Sequence, residues 1–198
     1  MIKTQTIAHI QAQLFTVPPY AVALVFMLLM TTFSDRYQTR ALPAASVFII
    51  GIVGWTILLT VNAHKPTASE LHARYFGCIC VVTAGYTNIP LIISWVSGNT
   101  GNQSQRAANL GMLNTLGQCM SLAAAFLFPS TEKPQFKKGC TVNIGFACLG
   151  LCIMLGMTTF YRLENKRRDK VEGGRPPKGA HLNTIEEFDL APGFRYVP

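Results

Sequence analysis

The sequence predicts an all-α membrane protein, a polytopic bundle of five transmembrane helices. Of the 198 residues, 49% are hydrophobic and only 13% are charged, and that charged fraction is about half of what a soluble domain carries. Five windows also lack Asp, Glu, Lys, Arg and His and are long enough to cross a hydrocarbon core of about 30 Å. These windows are residues 14–34, 41–62, 75–97, 107–128 and 141–161.

The five windows divide the chain into a short N-terminal segment (1–13), a membrane domain (14–161) and a tail (162–198). The first window follows mostly polar residues and precedes four more spans, which favours a membrane helix over a cleavable signal peptide. The tail mixes charge, proline and glycine with few apolar residues, so we predict that it is disordered. Its NKRRDK run either contacts anionic lipid headgroups or serves only as an orientation signal.

The basic residues predict how the bundle is oriented. Eleven Lys and Arg lie in the first connection, the third connection and the tail, against six on the other side. The positive-inside rule therefore places the C-terminus in the cytoplasm, although the basic loop STEKPQFKKG argues weakly for the reverse. Because these residues lie between or after apolar runs rather than on one polar face, we expect the lipid bilayer as a partner and not nucleic acid.

Small residues and amides inside the windows predict helices that pack on helices. Gly117, Ser121 and Ala125 recur every four residues, which allows a neighbouring backbone to approach closely. Asn114 and Gln118 are four residues apart and therefore lie on one side of their helix. Such amides either bond to a neighbouring helix or face a wet cavity, and both alternatives remain open.

The third window carries a second polar cluster, at a similar depth. Tyr86 and Asn88 lie beside a face that holds three hydroxyl residues, Thr83, Thr87 and Ser94. A threonine or serine in a span more often bonds to its own helix, so the hydroxyls are weaker candidates for ligand contact. Our candidate substrate-binding residues are Tyr86, Asn88, Asn114 and Gln118.

Catalytic, metal and cofactor sites are not predicted. All nine acids lie outside the windows or at their edges and all four histidines lie outside, so no proton relay or catalytic triad can be assembled. Five of the six cysteines fall inside the windows, where they are typical of small packing residues, and no metal-ligand set accompanies them. We therefore expect no enzyme activity.

The polar stretch WVSGNTGNQSQRAANLG, residues 95–111, predicts a turn between two helices. It lacks the lysine and hydroxyl of a phosphate-binding loop. Gly98, Asn99, Gly101 and Asn102 are typical of a tight turn, and Arg106 lies at the start of the next helix.

Several segments resemble a known family. These are LFTVPPYAVALVFMLLMTTFSDRYQTR (14–40), GYTNIPLIISWVSGNTGNQSQRAANLGMLNTLGQ (85–118), EKPQFKKG, LENKRRD and the closing FRYV. They resemble the C-terminal half of fungal major facilitator superfamily transporters, in the allantoate-permease-like anion:cation symporter family. That family includes nicotinate, pantothenate and allantoate carriers.

The resemblance implies a role for the first connection. SDRYQTR is similar to a charged loop motif of that superfamily, in which Asp35, Arg36 and Arg40 would form a cytoplasmic latch between adjacent helices. Thr31 and Gln38 stand where the motif commonly has glycine, and the alternative is that the charges only fix orientation. Together with Asn99 and Arg106, the three charged residues make up the predicted structural and gating set.

The resemblance also implies a function. The five spans would correspond to helices 8 to 12 of a twelve-helix carrier of small organic anions in the plasma membrane, coupled to protons and without a cofactor. Such carriers rock two halves about a midplane site. The chain would then be a partial or truncated carrier whose partner is the missing N-terminal half, inactive alone. The alternative is a non-transporting interaction protein that binds another membrane protein through its small-residue helix faces.

Overall fold

The computed structural model describes residues 13–37, 39–63, 67–133, 135–174 and 188–198. Within these ranges the chain forms five α-helices and no β-strand, which confirms the predicted all-α fold class. The helices are α1 (Val17–Tyr37), α2 (Ala41–Thr60), α3 (Ala68–Gly98), α4 (Gln103–Ala125) and α5 (Lys137–Val171), with short 3₁₀ turns at Ser130–Glu132 and Phe188–Leu190. The predicted N-terminal segment, except Gln13, and tail residues 175–187 lie outside the described residues.

Four of the five helices, α1, α2, α3 and α5, are long and apolar enough to cross a membrane. The remaining helix, α4, has 23 residues, which corresponds to about 34 Å at the usual rise per residue. Its length is therefore sufficient, but its amides and Arg106 lower its hydropathy. The same amides that mark α4 as a candidate binding helix leave it without a membrane-length stretch as apolar as those of the other four helices.

Helices α3 and α5 extend furthest beyond the predicted spans, because polar side chains stabilise their ends. At the start of α3, the carboxylate of Glu70 accepts a hydrogen bond of 2.6 Å from the backbone N–H of Thr67, the residue before the helix. The two residues form a capping box. In the last part of α5, Glu164 pairs with Arg167 at 2.7 Å and with Arg168 at 3.0 Å. Ion pairs three and four residues apart stabilise a helix, so α5 continues to Val171.

The tail differs from the disordered segment that the sequence predicts over 162–198. Residues 162–171 belong to α5, and residues 188–198 fold back against the ends of α3 and α5. Ala191 is fully buried there and Phe194 is 8% exposed. The physical reason is the composition of the last eleven residues, FDLAPGFRYVP, which are rich in aromatic and apolar side chains.

Helix α3 lies at the centre of the bundle and packs against α1, α2 and α4, while α5 packs against α2. The core between α1, α2, α3 and α5 contains six buried apolar residues: Ala41, Ala44, Val47, Ala84, Leu91 and Met154. Two hydroxyl residues of α3 are buried with them. Thr83 is 5% exposed and Thr87 is fully buried, and neither hydroxyl has a hydrogen-bond partner within the described part of the chain.

Helices α2 and α3 approach most closely where two glycines meet. A Cβ atom added to Gly54 would lie 2.9 Å from the carbonyl oxygen of Gly77 and 2.8 Å from the Cβ of Cys80. One added to Gly77 would lie 3.2 Å from the carbonyl oxygen of Gly54. Because the lipid around a membrane helix is itself apolar, such helices gain stability from close packing rather than from hydrophobic burial.

The two ends of the bundle are held differently. At what we call the tail end lie the α1–α2 and α3–α4 connections and residues 188–198. At the opposite end, the Arg74 guanidinium donates to the carbonyls of Leu58 at 3.1 Å and Val61 at 2.8 Å. The Gln135 amide also donates to the Val61 carbonyl, at 3.4 Å. These donors satisfy carbonyls that the end of α2 leaves free.

The glycine contact predicts an unusual response to alanine. Gly54→Ala should destabilise the protein by about 1–3 kcal/mol, because the added methyl group overpacks against the backbone of α3. Gly117→Ala is the matched control: no atom of the described residues lies within 4 Å of a Cβ at that position, and alanine is the better helix former. Thermal unfolding in detergent measures both. Equal unfolding midpoints for Gly54→Ala and Gly117→Ala would contradict the close contact.

The buried hydroxyl of Thr87 gives a second prediction. Thr87→Val should raise the unfolding midpoint, because valine keeps the shape and removes a buried group whose burial costs about 1–3 kcal/mol when it has no partner. Thr87→Ser keeps the hydroxyl and loses a methyl group, so it should lower the midpoint. A lower unfolding midpoint for Thr87→Val than for Thr87→Ser would contradict an unpaired hydroxyl at this position.

Candidate functional site

A cleft between α3 and α4 contains two of the predicted binding residues. It has a volume of about 650 Å³, within the usual range for small-molecule sites. Asn114 and Gln118 line it from α4, and Ile89 and Ile93 line it from α3. The cleft therefore combines amide donors and acceptors on one wall with apolar side chains on the other.

The sequence of α4 explains why its amides reach this cleft. The helix begins after Asn102, whose side chain accepts a hydrogen bond of 3.2 Å from the N–H of Ser104 and caps the helix. Leu110 and Leu113 are partly buried and lie toward α3. Side chains one turn further along share that face. No side chain of α4 is buried in the described structure, so α4 forms one open wall.

Tyr86 lies on the same face of α3 as the apolar wall, since it precedes Ile89 by three residues and Ile93 by seven. It is not among the residues that line the cleft. Its ring contacts Tyr20 of α1 edge to face, with 5.4 Å between the centroids. Pro90 has no N–H to donate to the carbonyl of Tyr86. The cleft face of α3 thus continues into a second polar region beside α1.

Asn88 lies elsewhere, in a cleft of about 300 Å³ between α2, α3 and α5. Two residues along a helix correspond to a rotation of about 200°, so Asn88 and Tyr86 lie on opposite sides of α3. The residues around Asn88 include Phe48, Trp55 and Asn143. The Oδ1 atom of Asn88 is buried without a hydrogen-bond partner among the described residues. The structure therefore divides the four predicted binding residues among different surfaces.

The predicted latch residues lie at the tail end. Arg40 forms a salt bridge of 3.1 Å with Asp35, and its side chain is 16% exposed while that of Asp35 is 64% exposed. The bridge connects the last turn of α1 to the start of α2. Arg36 lies in the last turn of α1 and is exposed. The backbone N–H of Arg40 also donates to the carbonyl of Pro198 at 3.3 Å.

The predicted turn residues lie between α3 and α4. Asn99 follows the last residue of α3, and its Nδ2 donates to the carbonyl of Trp95 at 3.0 Å. Arg106 lies in the first turn of α4 and donates to the hydroxyl of Thr100 at 3.5 Å. Asn99 makes further contacts with the tail that the residue pattern did not predict. The aromatic and apolar character of FDLAPGFRYVP is the signal that could have indicated them.

The sequence is similar to those of several fungal transporters. The chain is 32% identical over 95% of its length to the MFS-type transporter cnsO of Penicillium expansum. It is 29% identical over 94% to the major facilitator-type transporter hxnP of Emericella nidulans, and 28% identical over 100% to the high-affinity nicotinic acid transporter of Saccharomyces cerevisiae. It spans 36%, 37% and 36%, respectively, of the lengths of these relatives. No family model and no solved structure matches the chain.

Proposed function

Because its homologues are fungal major facilitator-type transporters, we propose that this multi-pass membrane protein forms one wall of a carrier whose α3–α4 cleft holds a small organic anion. One observation carries the proposal: Asn114 and Gln118 lie together in that cleft. Amide N–H groups can donate to the oxygens of a carboxylate, and amide oxygens can accept from a ligand hydroxyl or N–H. The isoleucines of α3 would then contact the apolar part of the anion.

The proposed substrate class is that of nicotinate, pantothenate and allantoate. Support comes from the relative named as a nicotinic acid transporter and from the size and mixed polarity of the cleft. Among the described residues, those that line the cleft are all uncharged. We therefore propose that the amides orient the anion, and that the charge which balances it and the group that takes up a coupling proton belong to other parts of the carrier.

The proposed orientation has the tail end in the cytoplasm of the cell. Counted over the described residues, nine Lys and Arg lie at the tail end and four at the opposite end. This distribution follows the positive-inside rule. The salt bridge between Asp35 and Arg40 would then be a cytoplasmic contact that holds α1 against α2 during transport. The plasma membrane is the proposed location.

The curated relatives are about three times as long as this chain, so transport itself is part of the proposal. In our scheme α1 to α5 are the counterparts of helices 8 to 12 of a twelve-helix carrier, within the anion:cation symporter family. Alternating access in such carriers needs two halves that rock against each other. The chain should therefore transport only together with the remaining helices.

The amides provide the direct test. In a complete carrier that contains this sequence, Asn114→Ala and Gln118→Ala should each lower the initial rate of labelled nicotinate uptake by about fivefold to tenfold. A lost hydrogen bond of about 1–1.5 kcal/mol corresponds to such a change. Surface expression should stay the same, because both side chains are exposed in the bundle. Uptake by cells and surface labelling are measured in parallel.

Asn143→Ala is the matched control, since it removes an amide from α5 whose Nδ2 donates to the carbonyl of Gly139 at 2.8 Å. This variant should leave uptake per surface molecule unchanged. Equal losses of uptake and surface expression in the α4 variants would favour a packing role and contradict the proposed site. Saturable uptake by cells that express the chain alone would contradict the need for further helices, and no uptake in any context would favour the interaction-protein alternative.

A further inference from the structure

Two asparagines hold the backbone of the tail, one from each of two helices. The side chain of Asn99, after α3, donates to the carbonyl of Val197 at 3.1 Å and accepts from its N–H at 2.7 Å. The side chain of Asn165, in α5, donates to the carbonyl of Tyr196 at 2.7 Å and accepts from its N–H at 2.9 Å. Successive residues of an extended chain direct their backbone groups to opposite sides. The tail therefore lies between the ends of α3 and α5.

Aromatic side chains support the same arrangement. The indole N–H of Trp95 in α3 donates to the carbonyl of Val197 at 2.9 Å. The ring of Tyr161 in α5 stacks on that of Tyr196, with 4.6 Å between centroids and 11° between planes. Stacked and edge-to-face rings add about 0.5–1.5 kcal/mol per pair to what burial contributes. Each helix thus contributes one asparagine and one aromatic ring.

Two arginines provide the charged contacts. Arg168 of α5 is 8% exposed and donates to the carbonyls of Asp189 at 2.8 Å and Phe194 at 3.2 Å. Its guanidinium carbon lies 4.9 Å from the centre of the Tyr196 ring. The tail supplies two of the acceptors that the buried guanidinium of Arg168 needs.

The second arginine, Arg195, comes from the tail itself. It pairs with Asp169 at 2.8 Å and with Glu172 at 3.0 Å, and its side chain is 8% exposed. The hydrogen bond from Arg195 is the largest cause that lowers the pKa of the Glu172 carboxyl. Burial, followed by the hydrogen bond to Asp189, raises the pKa of Tyr196 to about 12. At neutral pH the Glu172 carboxyl is ionised and the Tyr196 hydroxyl is protonated, as the contacts require.

We propose that the ends of α3 and α5 form a peptide-binding groove, and that its occupant is this chain's own Ala191–Pro198 segment. The groove recognises backbone amides through Asn99 and Asn165, and an aromatic-arginine-aromatic sequence through the rings and charges around them. The docked segment also reaches α2 through the N–H of Arg40. It therefore connects three helices at the tail end, whether or not the protein transports anything.

The test measures hydrogen–deuterium exchange at the Tyr196 amide in the full chain, reconstituted at one chain per nanodisc. Val197→Pro removes the backbone N–H that donates to Asn99 Oδ1, and Val197→Ile keeps it. Neither substitution lies in a helix. With proline, the protection factor of the Tyr196 amide should fall at least about fivefold, the ratio for one hydrogen bond of about 1 kcal/mol. With isoleucine it should remain at the wild-type value.

A variant on the groove side gives an independent comparison. Asn99→Ala removes both hydrogen bonds to Val197 and should lower the protection of Tyr196 at least as much as Val197→Pro does. Asn114→Ala, the same truncation on α4, should leave it unchanged. Loss of uptake in Asn114→Ala without loss of tail protection separates this proposal from the proposed function. Equal exchange in wild type and Val197→Pro would overturn the groove. Protection that appears only when a nanodisc holds two chains would show that the tail of a second copy is the occupant.

Discussion

The close contact between α2 and α3 at Gly54 and Gly77 is the constraint on which the rest of the structure depends. Two helix backbones can approach so closely only where neither carries a side chain. The contact fixes the rotation of α3 about its own axis. One face of α3, with Ala84 and Leu91, is then committed to the core, and the opposite face, with Ile89 and Ile93, is left for the cleft with α4. This rotation separates the residues of α3 that face the cleft from those that face the core.

The sequence predicts the helices well because their signal is local. Runs without charge identify all five helices, and the spacing of four residues between Asn114 and Gln118 correctly places both amides on one face. Helix ends are predicted less well. The capping box of Thr67 and Glu70 extends α3 into polar sequence, and the ion pairs of Glu164 extend α5. Apolar windows do not contain that information.

Contacts between distant segments are the part that local patterns miss. Asn88 and Tyr86 are close in sequence, yet the helix turns them to opposite sides, and only the neighbours of α3 decide which side meets α4. The polar average composition of the tail predicts disorder. Its last residues instead find Asn99 and Asn165, which lie far away in sequence. Residue spacing thus predicts the α4 wall of the candidate site. The α3 wall depends on helix packing, which local sequence patterns do not show.

Helix α3 belongs to both regions, because it forms one wall of the cleft with α4 and ends at the groove for the tail.

The proposed site requires that Asn114 and Gln118 face an aqueous cleft rather than lipid. Cysteine labelling tests this directly. The six native cysteines are replaced, and Asn114→Cys, Gln118→Cys or Leu116→Cys is introduced singly. Each variant is then labelled in membranes with a charged, membrane-impermeant thiol reagent. We expect rapid labelling at positions 114 and 118 and slow labelling at 116, which points away from the cleft. Equal labelling at all three positions would contradict it.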